Sequence, residues 1–272
     1  LTANLLTQSL KHRGHNQINC PNGGKDHKIL EPLELILIVL IAFITACISG
    51  VTGVAGGLLP AIFLTPIVGI TTIMPVLGVM LTIGSFSRSW VNRVDFHSEV
   101  FFRITLPALP MVVVGGLTYA QLEANAIALL LGSVVLISIP LRRWAKSKSV
   151  KTSPLTLSCI GGVFGFLAGS AVGPGMLLIP FMLGYGLSRT SFVATMAVIA
   201  TLTNATRVVT YGSVGLMTQE IILVGLLAGA ATLPGNIIGR RFLRGMNNNS
   251  HSILVDIMTV IGGINFIWIG LS

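Results

Sequence analysis

Two arginines and two glycine-rich breaks are the residues here best suited to chemistry, and that chemistry is anion binding. Arg88 closes Thr82-Ile83-Gly84-Ser85-Phe86-Ser87-Arg88, and Arg207 closes the similar Thr201-Leu202-Thr203-Asn204-Ala205-Thr206-Arg207. A guanidinium is always charged and presents a planar fork that matches an oxyanion. The breaks are Ala55-Gly56-Gly57 and Gly173-Pro174-Gly175, each inside a long apolar run. Aligning them puts Thr52 over Ser170 and Leu58-Leu59 over Met176-Leu177. Helices restarting after Gly57 and Gly175 would offer unpaired N–H groups and the positive end of a helix dipole. The candidate binding set is therefore Thr52, Gly56, Gly57, Ser85 and Arg88 with Ser170, Gly173, Gly175, Asn204 and Arg207. Thr82 and Thr201 are further neutral donors. Each feature also has a plainer reading. The arginines can snorkel or set topology, the glycines can pack helices, and the hydroxyls can bond their own backbone.

Other chemistries fail on residue type. The eight acidic residues lie in tails, loops or segment ends, and no carboxylate pair sits mid-segment. All five histidines lie outside segment centres, with no His-Glu-x-x-His motif and no serine elbow. Cys20, Cys47 and Cys159 have no metal-ligand or redox spacing. The expectation is a protein that is not an enzyme, with no metal and no cofactor. A carrier without a buried acid also lacks the usual proton site, which favours electrodiffusive movement of an anion.

The elements that must position these residues follow from composition. Of 272 residues, 53% are hydrophobic and only 9% charged, with a mean hydropathy of +0.87. Soluble domains carry about 25% charged residues. This is an all-α polytopic membrane protein. The net charge of +9 lies in short segments between apolar runs, without the aromatic interleaving of a nucleic-acid binder. Residues 1–32 form a polar N-terminal tail that does not read as a signal peptide. Residues 33–141 form a first transmembrane repeat, 142–154 a basic cytoplasmic linker, and 155–272 a second repeat. About eight segments result, near 33–68, 72–90, 101–119, 124–141, 155–184, 190–209, 219–238 and 253–270. They form a four-plus-four internal repeat with broken first and fifth helices. Leu109-Pro110 with Gly115 echoes Leu233-Pro234 with Gly239. The piece 58–68 is too short to cross alone, since a span needs roughly 20 residues. Each broken run is therefore read as one crossing. Positive charge then places both termini in the cytoplasm of a multi-pass protein of the cytoplasmic membrane. Were each broken run to cross twice, the charge bias would remain and the N-terminal orientation would reverse.

Gly173-Pro174-Gly175-Met176-Leu177-Leu178-Ile179-Pro180 resembles the Gly-Gly-Gly-x-Leu-x-x-Pro element of the sulfite exporter TauE/SafE family, and Ala55-Gly56-Gly57-Leu58-Leu59 resembles its first copy. Thr203-Asn204-Ala205-Thr206-Arg207 through Tyr211-Gly212 is similar to the end of that family's sixth helix, and Asn92-Arg93-Val94-Asp95 to the Gly-Asn-Val-Asp after its second. Ala55 and Pro174 each replace a glycine, and Ile62 stands where Pro is usual. The resemblance implies transport of small sulfur-containing anions such as sulfite, thiosulfate or organosulfonates. Export is the first expectation, and uptake or a non-transporting membrane scaffold the alternatives. The expected partners are that anion and the lipid bilayer, with no nucleic acid; a homo-oligomer is left open.

Overall fold

The computed structural model describes residues 32–49, 57–91, 93–147, 152–243 and 248–271. Ten α-helices run through them: α1 (Pro32–Ser49), α2 (Leu58–Val68), α3 (Ile73–Val91), α4 (Ser98–Gln121), α5 (Ala124–Ser147), α6 (Pro154–Ser170), α7 (Gly175–Gly184), α8 (Arg189–Ser213), α9 (Gln219–Leu243) and α10 (Asn248–Leu271). A short 3₁₀ turn spans Arg93–Asp95. No strand occurs among the described residues. The segments Ser98–Gln121, Thr190–Ser213 and Gln219–Ile238 are long and apolar enough to cross a membrane by themselves, and the rest of the bundle includes shorter apolar helices.

Three helices start at one end of the bundle with side-chain caps. His97 Nδ1 accepts from Val100 N, Ser153 Oγ from Thr156 N, and Ser188 Oγ from Ser191 N, as orphan first-turn N–H groups require. The register of close contacts fixes helix directions. On α6, Gly161 faces Ile104, Gly165 faces Ala108 and Gly169 faces Val112, so α4 and α6 run side by side in the same direction. A Cβ on any of the three would strike a backbone carbonyl oxygen. This is small-residue packing of the kind that joins helices in lipid, where apolar contact alone gives no preference for protein over lipid tails. His97 N donates to Thr195 Oγ1 at 3.1 Å, while Gly116 meets Thr210 and Tyr211, so α4 and α8 are also parallel. On α9, Gly225 packs on Val79 and Thr232 on Gly84, which sets α3 and α9 parallel. Gly132 and Gly270 place α5 and α10 antiparallel, through Ile267 and Leu129. The bundle thus has an Arg93 end, where α4, α6 and α8 begin, and a Tyr119 end, where α4 and α8 finish.

The two helices of the run 155–184 do not continue in one direction. After Ser170 the helix stops, Gly173 takes a left-handed φ of +84°, and α7 turns back. Thr152 N donates to the Gly184 carbonyl at 3.3 Å, so the two ends of the run lie together at the Arg93 end. The turn is fixed by the glycine face of α6, which locks that helix against α4 and leaves α7 to return beside it. Leu157, Phe164, Leu178, Met182, Phe192 and Met196 bury the returning helix against α6 and α8, together with Val100 and Ile104 of α4.

The pairings between halves come in matched sets. Helix α4 packs on α6, and α9 on α1; α3 packs on α9, and α4 on α8; α3 meets α8, and α5 meets α10. The smaller contacts α5 with α7 and α10 with α2 follow the same exchange.

Candidate functional site

The starts of the two short helices meet inside the bundle. A Cβ on Gly57 would lie 3.2 Å from Val172, and one on Gly173 would lie 2.6 Å from Leu58. Neither α2 nor α7 has a side-chain cap on its first N–H groups, the cap positions being Gly57 and Pro174. Beside this junction is a cavity of about 80 Å³, well above the roughly 10–15 Å³ that one water needs. Its walls take Gly57, Gly173 and Gly175 from the junction, Ser85 and Arg88 from α3, and Asn204 and Arg207 from α8. The rest of the wall is mostly apolar, including Leu81, Phe164 and Met196.

Seven of the ten sequence candidates therefore share one cavity. Ser170 is fully buried next to it, but its Oγ donates to the Phe166 carbonyl at 2.9 Å. Thr52 and Gly56 lie outside the described residues. The neutral hydroxyls behave as their own-backbone alternative has it. Thr82 donates to Gly78 O and Thr201 to Ala197 O, at 2.7 and 2.8 Å. A hydroxyl has a single proton, so in this arrangement neither can donate to a ligand. Asn204 Nδ2 donates to Ala200 O at 2.7 Å, and a second N–H remains on that nitrogen. Arg88 is half-buried, and its Nη2 donates to Ser85 Oγ at 3.1 Å; the Ser85 proton is not spent on that bond.

Arg207 is the centre of the electrostatics. It is 3% exposed, a charged side chain inside the bundle. Its Nη1 donates to the Ala168 carbonyl at 3.1 Å. Four residues on, Tyr211 donates to the Gly169 carbonyl at 2.7 Å. Because α6 ends at Ser170, both carbonyls lie in its last turn, where they lose their helical partners and attract a cation. Gly78 faces the other edge of the guanidinium; a Cβ there would sit 3.5 Å from Nε and 4.0 Å from Nη2. Those two nitrogens are buried with no hydrogen-bond partner. A buried cation left with unmet donors is costly unless an anion satisfies it. Nε and Nη2 form the edge that grips an oxyanion with two parallel bonds.

Sequence reasoning missed Gly78, Ala168, Tyr119 and Tyr211. The signal that could have found Tyr211 is its i,i+4 spacing from Arg207, which puts both on one helix face. At the Arg93 end, Glu99 accepts from Tyr185 Oη at 2.7 Å and Arg103 Nε at 3.0 Å. This ties the base of the α6–α7 hairpin to α4. The Tyr185 hydroxyl, in the turn after α7, has its pKa raised, first by that bond to Glu99 and then by burial. Among the described residues no group of three or more His, Cys, Asp or Glu side chains could hold a metal.

The family model for sulfite exporter TauE/SafE matches residues 38–266. No match was found among curated proteins or among solved structures.

Proposed function

The chain belongs to the sulfite exporter TauE/SafE family of membrane transporters, and from that membership and the cavity we propose that it exports small sulfur-containing oxyanions, such as sulfite, thiosulfate or organosulfonates, across the cytoplasmic membrane. The observation that carries the site is the free Nε/Nη2 edge of buried Arg207, beside the uncapped starts of α2 and α7. The anion sits among α3, α8 and the hairpin tip, at the edge of Arg207 that faces Gly78. It takes two bonds from Arg207, backbone N–H donors from Gly57 and Gly175, and a side-chain donor from Asn204. Arg88 and Ser85 line the approach. The apolar remainder of the wall strengthens these bonds by excluding water.

The topology that fits this site differs from the eight crossings expected from segment lengths. The matched pairings support a duplicated core, and the antiparallel run of α5 against α10 supports halves of opposite orientation. Helices α3, α4, α5, α8, α9 and α10 cross. The pairs α1–α2 and α6–α7 re-enter from opposite faces and touch at Gly57, Leu58, Val172 and Gly173. Inverted repeats with helix starts aimed at an anion near mid-membrane are an established carrier design. The Arg93 end then holds Arg93, Arg103, Arg142, Arg143, Lys146, Arg189, Arg240 and Arg241. The Arg93 end is therefore cytoplasmic, and the Pro32 and Leu271 helix ends face the other side, reversing the expectation of cytoplasmic termini.

Binding of sulfite and thiosulfate to purified protein tests the site. Arg207→Ala weakens affinity by about 10- to 100-fold, as loss of a charged hydrogen-bonding partner does, and Arg207→Lys recovers only part, since an ammonium lacks the fork. Unchanged affinity in folded Arg207→Ala overturns the assignment.

A further inference from the structure

One turn beyond Arg207 on α8, toward the Tyr119 end and behind the cavity wall, Tyr211 packs on Tyr119. Tyr119 and Tyr211 are buried, at 1% and 0% exposure, with ring centroids 5.4 Å apart. Tyr119 Oη lies 3.0 Å from the Thr71 carbonyl and 3.2 Å from that of Ile70, in the turn between α2 and α3. Tyr211 Oη donates to the Gly169 carbonyl, one residue before the end of α6. The ring pair thus joins the last turns of α4 and α8, and its hydroxyls fasten them to one element from each half: the base of the α1–α2 hairpin and the tip of the α6–α7 hairpin. Gly116 brings the backbones close enough for this, since a Cβ there would lie 3.0 Å from Thr210 and 3.5 Å from the Tyr211 ring. Arg88 lines the same cavity nearer the Arg93 end and keeps part of its surface exposed.

We infer that Tyr119 and Tyr211 form the extracytoplasmic gate of the anion pathway, closed in this structure, so that the cavity communicates with the cytoplasmic side past Arg88. This rests on the carrier reading above, but adds the sidedness of the state and the residues that enforce it. Opening requires the tyrosine hydroxyls to leave the carbonyls of Thr71 and Gly169. Because Arg207 and Tyr211 hold successive carbonyls of one helix end, movement of the α6–α7 tip is felt at the anion and at the gate together.

The test reads access, not transport. In a background with Cys20, Cys47 and Cys159 replaced by serine, one cysteine is placed in the cavity at Asn204, or at Thr203 should Asn204→Cys fail to fold. A reference cysteine at Ser153 marks the Arg93 end. A membrane-impermeant, charged thiol reagent is applied to vesicles of each orientation. With both tyrosines present, the cavity cysteine is labelled from the face that labels Ser153→Cys. In Tyr119→Phe/Tyr211→Phe, labelling from the opposite face rises roughly tenfold or more, because buried hydrogen bonds of the closed state are lost, while labelling from the Ser153 face stays unchanged. Equal labelling from both faces with the tyrosines present, or an unchanged opposite-face rate in the double variant, overturns the gate. Neither result bears on anion binding by Arg207, whose affinity measurement tests the site separately.

Discussion

At the scale of single residues, the decisive feature is an arginine whose neighbours take only part of its donor capacity. Arg207 gives Nη1 to the Ala168 carbonyl and keeps Nε and Nη2. Its role as a cap for the end of α6 and its role as an anion ligand are compatible, because they use different edges of one plane. Gly173 is the second residue on which the cavity depends. Its φ of +84° suits glycine, and its missing Cβ is the space that Leu58 occupies. Gly173→Ala therefore strains the turn and drives Leu58 away from it, opening the junction. We expect it to abolish sulfite binding with a modest loss of stability, of about 1–3 kcal/mol, measured by titration alongside thermal unfolding; wild-type binding in that variant would show that the junction does not shape the site. The arginines and glycines were legible in the sequence because each recurs at a matching place in both halves. The hydroxyl candidates were less so. Sequence gives no means of telling that Thr82 and Thr201 spend their protons on Gly78 and Ala197, since that depends on rotamers.

At the scale of elements, the joint between α4 and α6 holds the α6–α7 hairpin in place. Gly161, Gly165 and Gly169 recur every four residues and let the α6 backbone lie on that of α4. Gly162, next to Gly161 but turned away, has only Met111 at 4.0 Å. The two positions make a matched pair. Gly165→Ala forces a methyl onto the Ala108 carbonyl and lowers stability by roughly 1–3 kcal/mol or more, as overpacking does. Gly162→Ala meets no obstacle and gains up to about 1 kcal/mol of helix propensity. Thermal unfolding of the two purified variants checks this, and similar midpoints for both would refute the backbone contact as the cause. Helix positions were readable from apolar run lengths and breaks, and the described helices fall close to the expected segments. The fold-back of 155–184 was not. A run of that length satisfies a single crossing, and what turns it back is contact with α4, which is far away in sequence. Tyr119 and Tyr211 were likewise invisible as a pair, because tyrosines near segment ends also suit a membrane interface.

For the molecule as a whole, the proposed carrier combines two hairpins, one cation-lined cavity and one closed end. In the inverted arrangement proposed, exchanging the halves exchanges the faces of the membrane, so one site can be exposed to either side by rocking one half against the other. In this reading the membrane potential drives the anion. Moving one charge through 100 mV is worth about 2.3 kcal/mol, and an inside-negative potential pushes anions outward. The most direct measurement is flux in proteoliposomes of sulfite, thiosulfate, sulfate and a small sulfonate, with an imposed potential and, separately, an imposed proton gradient. An electrodiffusive carrier with this site gives saturable flux of a sulfur oxyanion that follows the potential and ignores the proton gradient. Flux that follows the proton gradient alone, or no flux of any of these anions from folded protein, would contradict it.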